Sequence, residues 1–187
     1  MPDLSHIATQ FQYPGAIDNI RSYGSGIIND TFVVTFSNPA PSSHSRLGKR
    51  AILQRINSQV FPQPIQVMHN QAEILQHVAQ QYSSVRSGHE FLLTPLYTTH
   101  DGNRYYQDQN GDIWRAMAFV EDTSSFDVLA SSEQAFEIGL ALGAFHQRLH
   151  DVAVDRLYDT LPGFHITPGY LKQYDDALTT LCLLYTS

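Results

Sequence analysis

The stretch SYGSGIINDTFVVTF, Ser22–Phe36, decides how the chain reads. Gly24 and Gly26 stand one residue apart, the turn-forming pair Asn29-Asp30 follows, and Asp30–Phe36 then alternates like a strand rich in Thr, Val and Phe. A plain hairpin needs one tight turn. Two glycines between strands suit a loop that lies flat against a ligand, because a residue without a Cβ lets backbone approach closely.

Outward from that loop, AIDNIRSY (16–23) predicts the strand that feeds it. Residues 3–12 predict a short helix with Leu4, Ile7, Ala8 and Phe11 on one face, stopped by Pro14-Gly15. SNPAPSSHSRLGK (37–49) is a polar loop and RAILQRI (50–56) a third strand. Over 63–82, Ile65, Met68, Ala72, Leu75, Ala79 and Tyr82 recur at helical spacing, with Pro64 opening the helix. SSVRSGHE (83–90) reads as a loop. FLLTPLYTT (91–99), NRYYQD (103–108) and DIWRAMAFVE (112–121) predict three further strands, separated by the turns HDGN and QNGD. A helix over 131–152 follows, with Ser131 as N-cap and Gln134 as its capping-box partner. Phe136, Leu140, Gly143, Ala144 and Gln147 mark one side of it, and Gly139 and Gly143 permit close helix approach. RLYDTLPGFHITPG is a loop, and TPGYLKQYDDAL begins another helix. Strands first and helices afterwards predict an α+β design, its sheet mostly antiparallel with five to six strands and one covering helix.

The 187 residues are 42% hydrophobic and 16% charged, a globular composition, and the net charge is −7. An acidic balance argues against nucleic-acid binding, which wants basic patches. It leaves open a phosphorylated nucleotide, which backbone N–H groups and metal ions can hold. Cys182 is the single cysteine, so an internal disulfide and a Cys-based metal cluster are excluded. The N-terminus lacks the basic start and apolar run of a signal peptide, and no apolar stretch reaches membrane-spanning length. A cytoplasmic protein without a membrane partner is expected.

Glycines before a strand, a polar residue on a later strand and a helix carrying a Glu form the layout of a kinase small lobe. There the loop covers the phosphates of ATP, a strand cation holds two of them, and the helix Glu orients that cation. In this chain the loop would be Tyr23–Asp30, the strand group Gln54 or Arg55, and the helix acid Glu73, the one acid between Pro64 and Tyr82. Gln54 and Arg55 point to opposite faces of a strand, so only one of them can reach a nucleotide. Plainer roles exist for each. Gly24 and Gly26 suit an ordinary flexible hairpin, Glu73 a solvated helix face and Arg55 an exposed strand position. Trp114 and Phe119 read as core, and His146 with His150, four apart but without a third ligand, as helix surface.

YGSGIINDTFVV, AILQRINSQVF, IWRAMAFVEDTSSFD and LPGFHITP together resemble the aminoglycoside phosphotransferase superfamily, in particular the anomeric N-acetylhexosamine kinases and their relatives, over about Ser22 to Leu178. The resemblance implies a protein-kinase-like small lobe over 1–121, and a hinge with the first helices of a larger helical lobe over 122–180. It implies ATP and Mg²⁺ as cofactors and a hydroxyl of a small molecule as acceptor, a sugar before an aminoglycoside, choline or homoserine. It implies that Gly24, Ser25, Gly26 and Asn29 line the phosphate loop. Ile52 would be an apolar wall of the adenine slot, and MAFVE the hinge, whose backbone at Phe119, Val120 and Glu121 would pair with adenine. Gln54 stands where the superfamily carries Lys or Arg, which unsettles the cation–Glu73 pair. The family's His-x-Asp…Asn catalytic loop has no match here: HDGN at His100–Asn103 has the wrong spacing and sits in a turn. The base and the metal ligands are expected beyond residue 187, so these residues would not turn over by themselves. A non-catalytic nucleotide-binding module is the alternative. The ending from Leu181 to Ser187 departs from the helical pattern and reads as a non-native tail. His165, in PGFH, is expected in a structural or substrate-side loop.

Overall fold

The computed structural model describes residues 2–41, 46–81, 93–124 and 126–184. Their order is α1 (Leu4–Ala8), β1 (Ala16–Ser22), β2 (Asp30–Ser37), β3 (Arg50–Arg55), α2 (Pro64–Gln81), β4 (Leu96–Tyr97), β5 (Tyr106–Gln107), β6 (Ile113–Ala118), α3 (Ser132–Leu149) and α4 (Thr167–Leu184), with a 3-10 turn at Val154–Arg156. The sheet is open, six-stranded and antiparallel throughout, ordered β1-β2-β3-β6-β4, with β5 also paired to β6. The fold is α+β, as the order of the elements predicts.

Register divides the sheet into two chemically different faces, because side chains alternate along a strand. Phe32, Leu53 and Ala116 align across β2, β3 and β6. With Val34, Phe36, Ala51 and Trp114 they make the face on which α1 lays Ile7 and Ala8. The opposite face aligns Val33, Ile52 and Met117, and beside them Thr31, Gln54 and Arg115. The helix α2 covers part of this second face, where Met68 packs on Ile56 and Ile113.

Several sequence expectations shift. The first helix closes at Ala8, and Phe11 instead bridges to Thr99. In α2 the buried residues are Met68 and Val78, whereas Ile65 and Ala79 are exposed. Packing against β6 selects Gln71 for the inner face, which turns the apolar stripe. Within the described part of FLLTPLYTT the strand is two residues long, as it is within NRYYQD. The loop SSVRSGHE and Tyr82 lie outside the described residues. The helix α4 runs on to Leu184, past the start of the expected tail, since no Gly or Pro follows Gly169 to stop it. Ser131 caps α3 as expected, accepting from the Gln134 N–H at 3.3 Å, but the Gln134 side chain accepts from Ala130 rather than from the cap.

The helical part meets the sheet part through α2. Asn70 exchanges two hydrogen bonds with the Tyr158 backbone, 2.8 and 2.9 Å, and His77 meets Asp151 at 3.0 Å. Much of α3 and α4 remains exposed, including Phe136 at 69% and Tyr174 at 61%.

Tyr13 lies in the aromatic end of the core, 4.9 Å from Phe36 and 5.2 Å from Tyr97 between ring centroids, and its buried hydroxyl has no hydrogen-bond partner. Burial first, and Tyr97 second, push the phenol above its ordinary value. The unfolded chain therefore releases this proton near pH 10 while the folded chain keeps it. Stability is full below about pH 10 and falls above it, by up to about 1.4 kcal/mol per pH unit. Tyr13→Phe is expected to reduce that alkaline slope without loss of stability at pH 7, because it deletes an unsatisfied group. Denaturant midpoints measured from pH 7 to 11 check this; Tyr97, also raised by burial, retains part of the slope.

Candidate functional site

The loop Gly24–Asn29 leaves β1 and returns into β2, closed at its root by the Tyr23 N–H donating to the Thr31 carbonyl at 2.9 Å. Gly24 sits at φ +78°, a left-handed conformation that glycine adopts without strain. Gly26 has no positive φ, and a Cβ built there meets nothing within 4 Å. Residues 23–28 are exposed, Ile27 at 97%. Asn29 is turned to a structural use: its side-chain oxygen accepts from the Asn57 N–H at 2.9 Å, while Asn57 donates back to the Ile28 carbonyl at 2.9 Å. The Gly24-Ser25-Gly26 segment is thus free above a pinned base.

Below that base runs a directed row of hydrogen bonds. The Thr31 hydroxyl donates to the Asn29 carbonyl at 3.3 Å and accepts from the Gln54 amide at 2.8 Å. The Gln54 oxygen accepts from Arg115 at 3.1 and 2.6 Å, and the Gln71 oxygen of α2 accepts from Arg115 at 2.7 Å. Arg115 can only donate, so both amide oxygens must face it. Sheet register creates the row, for Thr31, Gln54 and Arg115 are direct cross-strand partners.

Of the two third-strand candidates, Gln54 joins this row and Arg55 faces the other way, paired with Asp30 and, at 2.8 Å, with Asp112. Glu73 is not brought to the strand. It pairs with Arg156 at 2.7 Å, on the side of α2 that meets the helical part. The expected cation–Glu73 pair is therefore absent among the described residues, and the cation beside Gln54 is Arg115. Within DIWRAMAFVE nothing local sets Arg115 apart; its register with Gln54 is the signal that finds it.

At the end of β6, Phe119 and Glu121 are tied to the sheet. Their N–H groups donate to the carbonyls of Arg50 at 3.1 Å and Arg46 at 2.9 Å, which leaves Val120 as the one of the three whose amide the described backbone does not use. The Arg50 guanidinium lies 4.0 Å over the Phe119 ring and binds the buried Glu121 carboxylate with two nitrogens. Tyr23, at the loop root, meets Phe119 edge-on at 5.4 Å. Ile52, half-buried, shares a face with Val33 and Met117. The loop root, the Phe119–Glu121 segment and the Gln54 face thus meet in one region, while Phe119 itself is core, as is Trp114.

HDGN is a turn: Gly102, at φ +80°, donates to the Thr99 carbonyl at 2.9 Å, and His100 reaches back to Thr9. His150 bonds the Gln147 carbonyl, and His165 is exposed at φ +60° with its N–H on the Tyr170 hydroxyl. Among the described residues no three His, Cys, Asp or Glu converge as a metal site. An open groove of about 490 Å³ lies between Asp3–Ile7 and Tyr106–Asn110, and a polar one of about 130 Å³ beside Glu73, His77, Asp151 and Arg156. Among the described residues, no helix is long and apolar enough to cross a membrane. No known family model matches the chain.

Proposed function

We propose that this chain carries the nucleotide-binding half of an ATP-dependent small-molecule phosphotransferase with a kinase-like small lobe, acting on a hydroxyl of an acceptor such as a sugar. The observation that supports this most is the Gly24–Gly26 segment standing free over a pinned base, directly at the end of a row of donor groups on one sheet face. That row offers N–H groups and a positive charge without a carboxylate, the chemistry that suits phosphate oxygens. Loop amides at Gly24, Ser25 and Gly26 would hold the terminal phosphates, and Ile52 with Met117 would face the base. The Val120 amide, unused by the described backbone, is the hinge donor for the adenine edge. ATP supplies the transferred phosphoryl group. The residues described here bind and position it, the contribution on which phosphoryl transfer chiefly depends.

Gly26 provides the test. Nothing in the free fold demands glycine there, so Gly26→Val is expected to leave thermal unfolding within about 1 kcal/mol of wild type. If the backbone at Gly26 approaches a triphosphate, the same change lowers MgATP affinity at least about tenfold, equivalent to about 1.4 kcal/mol. Isothermal titration of both proteins checks it. Equal affinity in the two would remove the loop from the site.

A further inference from the structure

The geometry points to Arg115 as the phosphate-binding cation of this molecule, supplying from β6 the charge that β3 lacks at Gln54; this rests on the nucleotide reading above. The first ground is counter-charge. Arg50 pairs with Glu121, Arg55 with Asp30 and Asp112, Arg156 with Glu73, and Lys172 with Asp176. Arg115 instead binds the neutral oxygens of Gln54 and Gln71, and no carboxylate pairs with it among the described residues. Arg21, Lys49 and Arg104 have no carboxylate pair among the described residues either, but they are exposed to water, whereas Arg115 is half-buried.

The second ground is burial. Arg115 is half-buried, and desolvation disfavours its charged form. A guanidinium does not lose its proton in proteins, so the charge stays, and among the described residues it is met by amide dipoles. Such a group gains most from an arriving anion, since partial desolvation strengthens its electrostatics.

The third ground is position. Arg115 stands two strands from Thr31, about 10 Å at the usual strand spacing, and Thr31 closes the root of the glycine loop. The Arg115 side chain covers part of that distance, since its guanidinium reaches Gln54, the direct partner of Thr31, and a polyphosphate at the loop amides has only the rest to bridge. Gln54 then acts as a positioning residue: its oxygen fixes the guanidinium and its amide hands the polarisation on to Thr31 and Asn29.

The rival role is structural, with Arg115 merely fastening α2 and β3 to β6. The two separate in a titration of the 187-residue chain with ATP, adenosine and inorganic tripolyphosphate. Arg115→Gln is expected to weaken ATP and tripolyphosphate at least about tenfold and to leave adenosine unchanged. Gln71→Glu is the second variant. It keeps the shape of α2 and the bond to Arg115 but places a permanent carboxylate on the guanidinium, so it weakens both phosphates while the fold persists, even if Arg115→Gln does not fold. Phosphate affinities within twofold of wild type in a folded variant overturn the assignment and leave the nucleotide reading standing. Loss of tripolyphosphate in both variants, with ATP bound no more tightly than tripolyphosphate by wild type, sustains Arg115 and sinks the nucleotide reading. A wild-type chain that binds neither phosphate overturns both.

Discussion

Trp114→Ala is expected to destabilise the chain by about 3–5 kcal/mol, the range for deleting a large aromatic from a core. Trp114 is fully buried near the start of β6, the strand that pairs with β3, β4 and β5 together. Its ring lies 6.1 Å from that of Phe32 and belongs to the cluster with Leu53, Val34 and Ala116. Its indole N–H donates to Asp108 at 3.0 Å. The other Asp108 oxygen accepts from Asn110 and Asp112, at 2.9 and 3.0 Å, and so shapes the QNGD turn. The substitution therefore opens a cavity and also unseats a turn. Trp114→Phe keeps most of the volume and is expected to cost less. Circular dichroism in urea measures both, since Trp114 is the sole tryptophan and its fluorescence disappears with it. A loss below 1 kcal/mol would contradict the packing described.

The second large effect is at the Arg50–Glu121 pair after β6, and it is asymmetric. Glu121 has a side chain 10% exposed, and its partner Arg50 one 30% exposed. Arg50→Ala strands a buried carboxylate, uncovers the Phe119 ring and is expected to cost about 3 kcal/mol. Glu121→Ala leaves a guanidinium that water can reach, and is expected to cost about 1–2 kcal/mol. The double variant should be more stable than Arg50→Ala alone, because the stranded charge is gone. Urea unfolding of the three proteins measures the cycle; equal costs for the single changes would contradict the burial difference.

The element order was legible because local chemistry decided it. Alternation rich in Thr, Val and Phe marked β2, the turns HDGN and QNGD separated the later strands, and Ser131 marked the start of α3. The face of α2 was not, because its rotation depends on Gln71 meeting Arg115 and Met117, a contact across 44 and 46 residues. The candidate site was half legible. The glycine loop and Gln54 stood out, and their opposite-face rule against Arg55 held. Arg115 could not be found without knowing that β6 lies beside β3, and Glu73 was drawn away by Arg156, 83 residues downstream by number. The turn role of HDGN was readable from Gly102, because its positive φ is a local demand.

The measurement that bears most directly on the proposed nucleotide site is an amide chemical-shift titration of the labelled chain with MgATP. A nucleotide seated beneath the glycine loop gives its largest shifts at Gly24, Ser25, Gly26, Thr31, Gln54 and Arg115, with a smaller set at Val120. Shifts gathered instead around Asp3, His6 and Asn110, or around His77 and Asp151, with the loop unmoved, would contradict a nucleotide site on this face.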